Sequence, residues 1–247
     1  LRHGGRLLVA YLSVGEAESY RSYWHKSWKP GRPAWLDSPN PDWKENYKVR
    51  YWEPAWQQIL FDYADDILDQ GFDGLFLDVV DAYEYWEPRR PQAASDMRTL
   101  LLKLIRHVRE RGEIGIFLNS GEGLLEDQEL LNSITGVAKE EIFFGLPGDG
   151  KPSPIAFTQA TQAQLKKVVE AGKIVLSIDY TNDPKQARQA HELARQAGYL
   201  EFVGVRALNR LVQQPSVSPT PELHPVLSTA SNRDHPEPGT APNSSSP

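Results

Sequence analysis

Leu7-Leu8-Val9-Ala10-Tyr11-Leu12-Ser13 is a nearly unbroken apolar run that ends in Val14-Gly15-Glu16. Such a run, without polar alternation, predicts a strand covered on both faces and followed by a turn. The signature returns at Gly74-Leu75-Phe76-Leu77-Asp78, Ile114-Gly115-Ile116-Phe117-Leu118-Asn119 and Ile174-Val175-Leu176-Ser177-Ile178-Asp179. Gly136 to Glu140 and Glu201 to Val205 repeat it more weakly. Helical spacing fills the intervals. Glu53-Pro54 opens a helix carrying Ile59, Leu60, Tyr63, Ile67 and Leu68, closed by Gly71. Leu101, Leu104, Ile105 and Val108 mark one from about Ala93 to Arg111, with Gly112 as its stop. A short helix is expected over Leu124 to Leu131, one capped by Thr161 and ending at Gly172, and one from Asp183-Pro184 to Ala197 before Gly198. Six strands alternating with helices predict an α/β chain built on a parallel sheet.

Two stretches fall outside this rhythm. Ala17 to Tyr51 is too irregular for one helix and too aromatic for a floppy linker. Gln214 to Pro247 holds eight of the 19 prolines and seven serines, with few large apolar residues. It cannot bury enough surface to offset its ordering entropy and is expected to be a disordered tail. One folded domain over residues 1–213 is the expected organisation.

Composition narrows the function classes. A formal charge of −6 argues against nucleic acid as partner, which usually meets a clear basic patch. The absence of cysteine excludes disulfides, thiol chemistry and thiolate metal sites. No apolar stretch approaches the roughly 18–20 residues that span a bilayer. The chain starts at Leu1 without an apolar leader, so any signal peptide is expected to be already removed or never present.

The polar residues of interest share a position. Glu16, Asp78, Asn119, Glu140 and Asp179 each fall at or just past the C-terminal end of an expected strand. In a parallel (β/α)8 TIM barrel all strand C-termini open on one face, where the active site sits. A doubly wound sheet would gather its site at one switch point, and no phosphate-cradling GxGxxG or GxxxxGK[ST] loop is present. All seven tryptophans lie between Trp24 and Trp86. Their bland role is to pack the long loop; the sharper expectation is that one or two line a sugar-binding groove, since indole faces supply large apolar area.

Three segments carry a resemblance: Ala10-Tyr11-Leu12-Ser13-Val14-Gly15-Glu16-Ala17-Glu18-Ser19-Tyr20-Arg21, Asn46 to Trp52, and Gly71-Phe72-Asp73-Gly74-Leu75-Phe76-Leu77-Asp78-Val79-Val80-Asp81-Ala82-Tyr83. Together they resemble the glycoside hydrolase family 114-like proteins, TIM barrels typified by endo-α-1,4-polygalactosaminidases. The resemblance implies a two-carboxylate glycosidase acting on an amino-sugar polysaccharide, without cofactor or metal. It places the catalytic aspartate on Asp78 and the catalytic glutamate on Glu140. Glu141 is adjacent, but strand parity lets only one of the pair face the barrel axis, and Ala138 shares the face of Glu140. The family has two strands before the one ending at Ser13, so the six strands here correspond to strands 3–8 of an incomplete barrel, with N-terminal truncation the favoured explanation. The family's usual export, with the Pro/Ser-rich tail, implies a secreted or extracytoplasmic protein.

Glycosidic cleavage needs one protonated carboxyl at the leaving oxygen and one ionised carboxyl that attacks the anomeric carbon or activates water. Glu140 is assigned as general acid/base and Asp78 as nucleophile or base, with the opposite assignment open. Further substrate contacts are expected from Glu16, Asp81, Asn119, Asp179 and Tyr180, and from Tyr11 and Tyr83 within the resembling segments. Of Glu16 and Glu18, one is expected to line the cleft and the other to pair with Arg21, and Arg206 is expected to serve as an ion-pair partner at the mouth. Glu16, Glu18, Asp78, Asp81, Glu84 and Asp179 together would draw in a cationic, partly deacetylated polymer. Two alternatives are an inactive carbohydrate-binding barrel and a metal-dependent hydrolase or deacetylase using Asp78-x-x-Asp81. The latter is disfavoured because no histidine sits at a strand end.

Overall fold

The computed structural model describes residues 7–209, 212 and 214. The proposed tail falls outside the described residues except Gln214, whose side chain bonds both backbone groups of a strand residue, Val203, at 2.9 and 3.0 Å.

Six parallel strands form the frame: β1 (Val9–Ser13), β5 (Gly74–Asp78), β6 (Gly115–Asn119), β7 (Gly136–Glu140), β8 (Ile174–Tyr180) and β9 (Leu200–Gly204). They pair in that order, each new strand adding to the same side of the last. An order that never reverses is barrel winding and leaves no switch point. Among the described residues β1 and β9 form the two edges, and the sheet is open rather than closed on itself. All six expected strands are present, within two residues of their expected ends.

Helices α1 (Pro54–Asp69), α3 (Ala93–Arg109), α5 (Ile155–Glu170) and α6 (Pro184–Ala197) cross between strands, with short helices α2 (Ala82–Trp86) and α4 (Gln128–Ser133). The α6 cap is as expected: Asp183 accepts the Lys185 amide at 2.7 Å, and Gly198 turns left-handed at the other end. The α5 expectation is corrected. Thr161 is a buried residue in mid-helix and no cap; the helix begins six residues earlier, at Ile155. Its first turns carry little apolar patterning because they sit over loop rather than sheet.

Ala17 to Tyr51 contains more order than its pattern suggested. Strands β2 (Glu16–Glu18), β3 (Leu36–Pro39) and β4 (Asn46–Val49) form an antiparallel sheet in the order β2-β4-β3. Strands of three or four residues are too short to show a period of two. Tryptophans hold the segment down. Trp24, Trp28, Trp35 and Trp56 form a chain of ring contacts, and the buried Trp56 indole donates to Val14 O at 3.0 Å. Six of the seven tryptophans are buried or half-buried, and Trp43 alone of them is exposed, at 64%.

Alternation along the strands divides the sheet into two faces. Leu12, Leu75, Leu77, Ile116, Leu118, Val137, Val175 and Val203 are nearly inaccessible and belong to the core beneath the helices. The register then puts Tyr11, Asp78, Asn119, Glu140 and Tyr180 on the opposite, axial face.

Candidate active site

Five strands deliver five polar side chains to the C-terminal end of that axial face. Tyr11 from β1 is level with Phe76, one inward step below Asp78 at the end of β5. Asn119 ends β6 and is level with Ala138, one inward step below Glu140 on β7. Glu140 in turn is level with Ile178, and Tyr180 is the next inward residue of β8.

These side chains form one hydrogen-bonded row. The Tyr11 hydroxyl donates to Asp78 Oδ2 at 2.7 Å. Asn119 Nδ2 donates to Asp78 Oδ1 at 2.9 Å and to Glu140 Oε1 at 3.1 Å. The Tyr180 hydroxyl donates to Glu140 Oε2. Each carboxylate thus receives two donors, one from a tyrosine and one from the shared amide. Burial, then the charge of Asp78, pushes the Tyr11 pKa far above the ordinary phenol value, although the ring itself is partly exposed. Burial and Glu140 do the same to Tyr180. Both hydroxyls therefore stay protonated and act as donors.

The backbone is unusual at three of these strand ends. The residue after Asp78, Asn119 and Glu140 is in each case a non-glycine with positive φ: Val79 at 58°, Ser120 at 63° and Glu141 at 63°. Left-handed backbone costs such residues about 1–3 kcal/mol and persists only where surroundings over-determine it. Here it breaks each strand immediately past the functional side chain. Gly15 serves the same rim: a Cβ there would lie 2.3 Å from Val79 O and 2.4 Å from Ala82 Cβ, so only glycine lets the β1 and β5 loops meet.

Glu140 and Glu141 separate as parity required. Glu141 turns outward, where Arg206 Nη1 meets it at 2.5 Å, and the same guanidinium reaches Asp149 at 2.8 Å. Arg206 also lies over the Tyr180 ring, 4.5 Å from its centroid. Its expected ion-pair role is thereby given two partners. Of the two glutamates after β1, Glu18 is the one that binds Arg21, at 2.6 Å.

Three expected contacts need correction. Glu16 is 2% exposed and spends its carboxylate on Lys48, Asn40 and Asn46, so it braces the antiparallel sheet instead of lining a cleft. Asp179 is fully buried on the helix side of β8, since consecutive residues Asp179 and Tyr180 cannot face the same way. Tyr83 is buried on α2 with its hydroxyl against Gly123, so it packs beside the site and does not line it. The steering set shrinks accordingly: Glu16, Glu18 and Asp179 are buried and bonded, leaving Asp78, Asp81 and Glu84.

Asp81 sits on the exposed rim three residues past Asp78. Desolvation by the loop around it, then repulsion from Asp78 and Glu84, raises its pKa above the ordinary carboxylate value. Among the described residues no group of three or more His, Asp or Glu side chains is arranged to hold a metal ion. No helix of the described residues is long and apolar enough to cross a membrane.

The family model of glycoside-hydrolase family GH114 matches residues 1–218. The chain belongs to that family. It is 38% identical over 209 residues to an uncharacterized protein of Deinococcus radiodurans, covering 84% of this chain and 67% of that one. It is 36% identical over 198 residues to the uncharacterized protein MJ1477 of Methanocaldococcus jannaschii, covering 74% of this chain and 54% of that one. The GH114 chain therefore spans between about half and two thirds of these relatives' lengths. Among solved structures it is similar to the glycoside hydrolase domain of PelA from Pseudomonas aeruginosa, with TM-score 0.66 and 28% identity over 82% of this chain and 79% of that one. Aspergillus fumigatus Ega3, solved with galactosamine, shares the fold at TM-score 0.64 and 18% identity over 85% of this chain and 79% of that one. Family membership makes the chain a glycosidase by kind.

Proposed function

We propose that this GH114 chain cleaves an amino-sugar polysaccharide by double displacement with retention, using Asp78 and Glu140. The observation that carries the reading is the shared amide of Asn119. Two oxygens bonded to one nitrogen can lie no farther apart than the two bonds laid end to end, roughly 6 Å. That ceiling lies below the roughly 6.5–9.5 Å of inverting enzymes and nearer the roughly 5–5.5 Å of retaining ones.

In the first step the Asp78 carboxylate attacks the anomeric carbon while protonated Glu140 gives its proton to the departing glycosidic oxygen. The glycosidic C–O bond breaks and an Asp78 ester forms. Glu140, now ionised, then takes a proton from water as that water attacks the anomeric carbon. The ester bond breaks, Asp78 leaves as carboxylate, and Glu140 is again an acid. Tyr11 and Tyr180 hold the two carboxyl groups, and Asn119 fixes their spacing.

The amino-sugar substrate is supported by the charge of the rim. Asp78, Asp81, Glu84 and Glu140 take part in no ion pair among the described residues. Ammonium groups of unacetylated galactosamine units, the sugar bound to Ega3, would supply the missing positive charge. Export to where such polymers occur fits the family and is part of the proposal.

A mechanism-based inhibitor, a 5-fluoro glycosyl fluoride of galactosamine, tests the scheme. The expected product is an enzyme ester on the peptide containing Asp78, and release of the α anomer from an α-linked polymer by NMR. An ester on Glu140 would exchange the two roles, and initial release of the β anomer would overturn the retaining scheme. Asp78→Asn and Glu140→Gln should lose turnover while keeping polymer affinity; a wild type that binds without turnover would be a binding barrel. Weaker binding of fully acetylated polymer, and at high salt, is expected from the rim charges, and equal affinity would remove that part.

A further inference from the structure

Behind the site, on the helix side of the sheet, lies a second carboxylate pair that the proposed chemistry does not use. Asp179 of β8 is fully buried. Its Oδ1 accepts the backbone amides of Phe143 at 2.8 Å and Phe144 at 2.7 Å. Glu201, on the neighbouring strand β9, points to the same side, level with Ser177. The buried Ser177 hydroxyl donates to Glu201 Oε2 and lies 3.5 Å from Asp179 Oδ2. Glu201 Oε1 is buried and has no partner among the described residues.

The charges do not balance if both groups are ionised. Neither carboxylate takes part in an ion pair among the described residues. The groups facing them are Ser177 on β8, the two amides of the loop after β7, and beyond Val203 the α6 residue His191, whose ring is bonded to Gln214. Two carboxylates gathered at one buried hydroxyl and out of water hold one proton between them. A proton on Glu201 gives its orphaned oxygen a bond to make, to Asp179. Burial and the neighbouring Asp179 raise the Glu201 pKa well above the ordinary value, in the same direction.

The held segment is the one that aims the acid. Residues 141–144 begin at the left-handed Glu141, directly after Glu140. Phe144 O accepts the Tyr180 amide at 3.1 Å, and Tyr180 donates to Glu140. Asp179 is thus linked to Glu140 twice, through the loop and through its own neighbour in β8.

We propose that Asp179 and Glu201 form a one-proton carboxyl pair in which ionised Asp179, held by protonated Glu201, is a positioning residue for Glu140. The inference rests on the glycosidase reading for its effect on turnover, and on geometry alone for its effect on the loop.

The test joins amide hydrogen exchange at Phe143 and Phe144 with kcat and KM on a partly deacetylated galactosamine polymer. Asp179→Ala removes the acceptor. It should speed exchange at both amides at least tenfold and lower kcat at least tenfold, with KM within twofold. Asp179→Asn keeps an acceptor oxygen and should restore slow exchange and most of kcat. Glu201→Gln copies the protonated acid and should keep the two amides protected. If Asp179→Ala does not fold, wild type and Glu201→Gln compared over rising pH serve instead. Wild-type exchange at these amides should climb beyond its intrinsic base-catalysed rise once the second carboxyl ionises, and Glu201→Gln should abolish that excess. Unchanged exchange in Asp179→Ala, a parallel loss in kcat and KM, or an identical pH response in wild type and Glu201→Gln would overturn the proposal. Slow exchange restored by Asp179→Asn in a chain without turnover would instead count against the glycosidase reading, with the pair intact.

Discussion

Asp78 and Glu140 belong to strands that do not touch, yet the same nitrogen of Asn119 binds them both. The intervening strand β6 contributes little else to the site. Its role is to convert two separate carboxylates into a pair of fixed spacing.

Asn119→Ala should therefore lower kcat by about a hundredfold, the scale of losing one preorganised donor, about 2.7 kcal/mol. Asn119→Asp, which sets a third negative charge between the two, should be worse for kcat and also lower the melting temperature. Steady-state rates beside calorimetry check both, and a fully active Asn119→Ala would remove the amide from the mechanism.

Asp81 should make stability depend on pH. Its folded-state pKa is raised, so folding favours the protonated form. Stability is then greatest below the ordinary carboxylate value and declines as pH rises through the raised one. Asp81→Asn should raise the melting temperature at pH 7 and leave it unchanged near pH 3. Thermal unfolding at the two pH values gives the comparison.

Tryptophans divide by burial. Trp56 is inaccessible and bonded to Val14 O, so Trp56→Ala should cost about 3–5 kcal/mol. Trp43 is largely exposed, and Trp43→Ala should stay within about 0.5 kcal/mol of wild type. Urea unfolding followed by circular dichroism separates the two cases.

Gly15→Ala should strain the rim from behind. The added Cβ meets a backbone oxygen, Val79 O, which cannot rotate away as a side chain would. A loss of about 1–3 kcal/mol is expected, as in overpacked cores, with a disproportionate fall in turnover because Val79 follows Asp78. Unfolding free energy and kcat measured on one preparation show whether the two effects separate.

Much of this architecture was legible in the sequence because buried parallel strands leave long apolar runs. Leu75, Leu77 and Ile116 announce themselves, and the polar residue ending each run marks the rim. Asp78, Asn119 and Glu140 were found in that way, two of them with roles drawn from family resemblance. The short antiparallel strands were not legible, because their pairing of Glu16 with Lys48 and of Glu18 with Asn46 spans a loop of aromatic residues and leaves no local period. Asp179 misled for a simpler reason: a strand-end acid can face either side, and its neighbour Tyr180 had already taken the axial one. Nothing in the local pattern around Glu201 signals its contact with Ser177, which depends on the pairing of β8 with β9.

The lopsided placement of indoles has a practical outcome. With every tryptophan at or before Trp86, tryptophan emission, excited selectively over tyrosine, reports on the part of the chain that carries Asp78 and has no reporter in the part that carries Glu140. Emission and far-ultraviolet ellipticity are thus two independent witnesses. If their denaturation midpoints coincide, the halves melt as one unit; if emission leads or lags, they part company before the chain is lost.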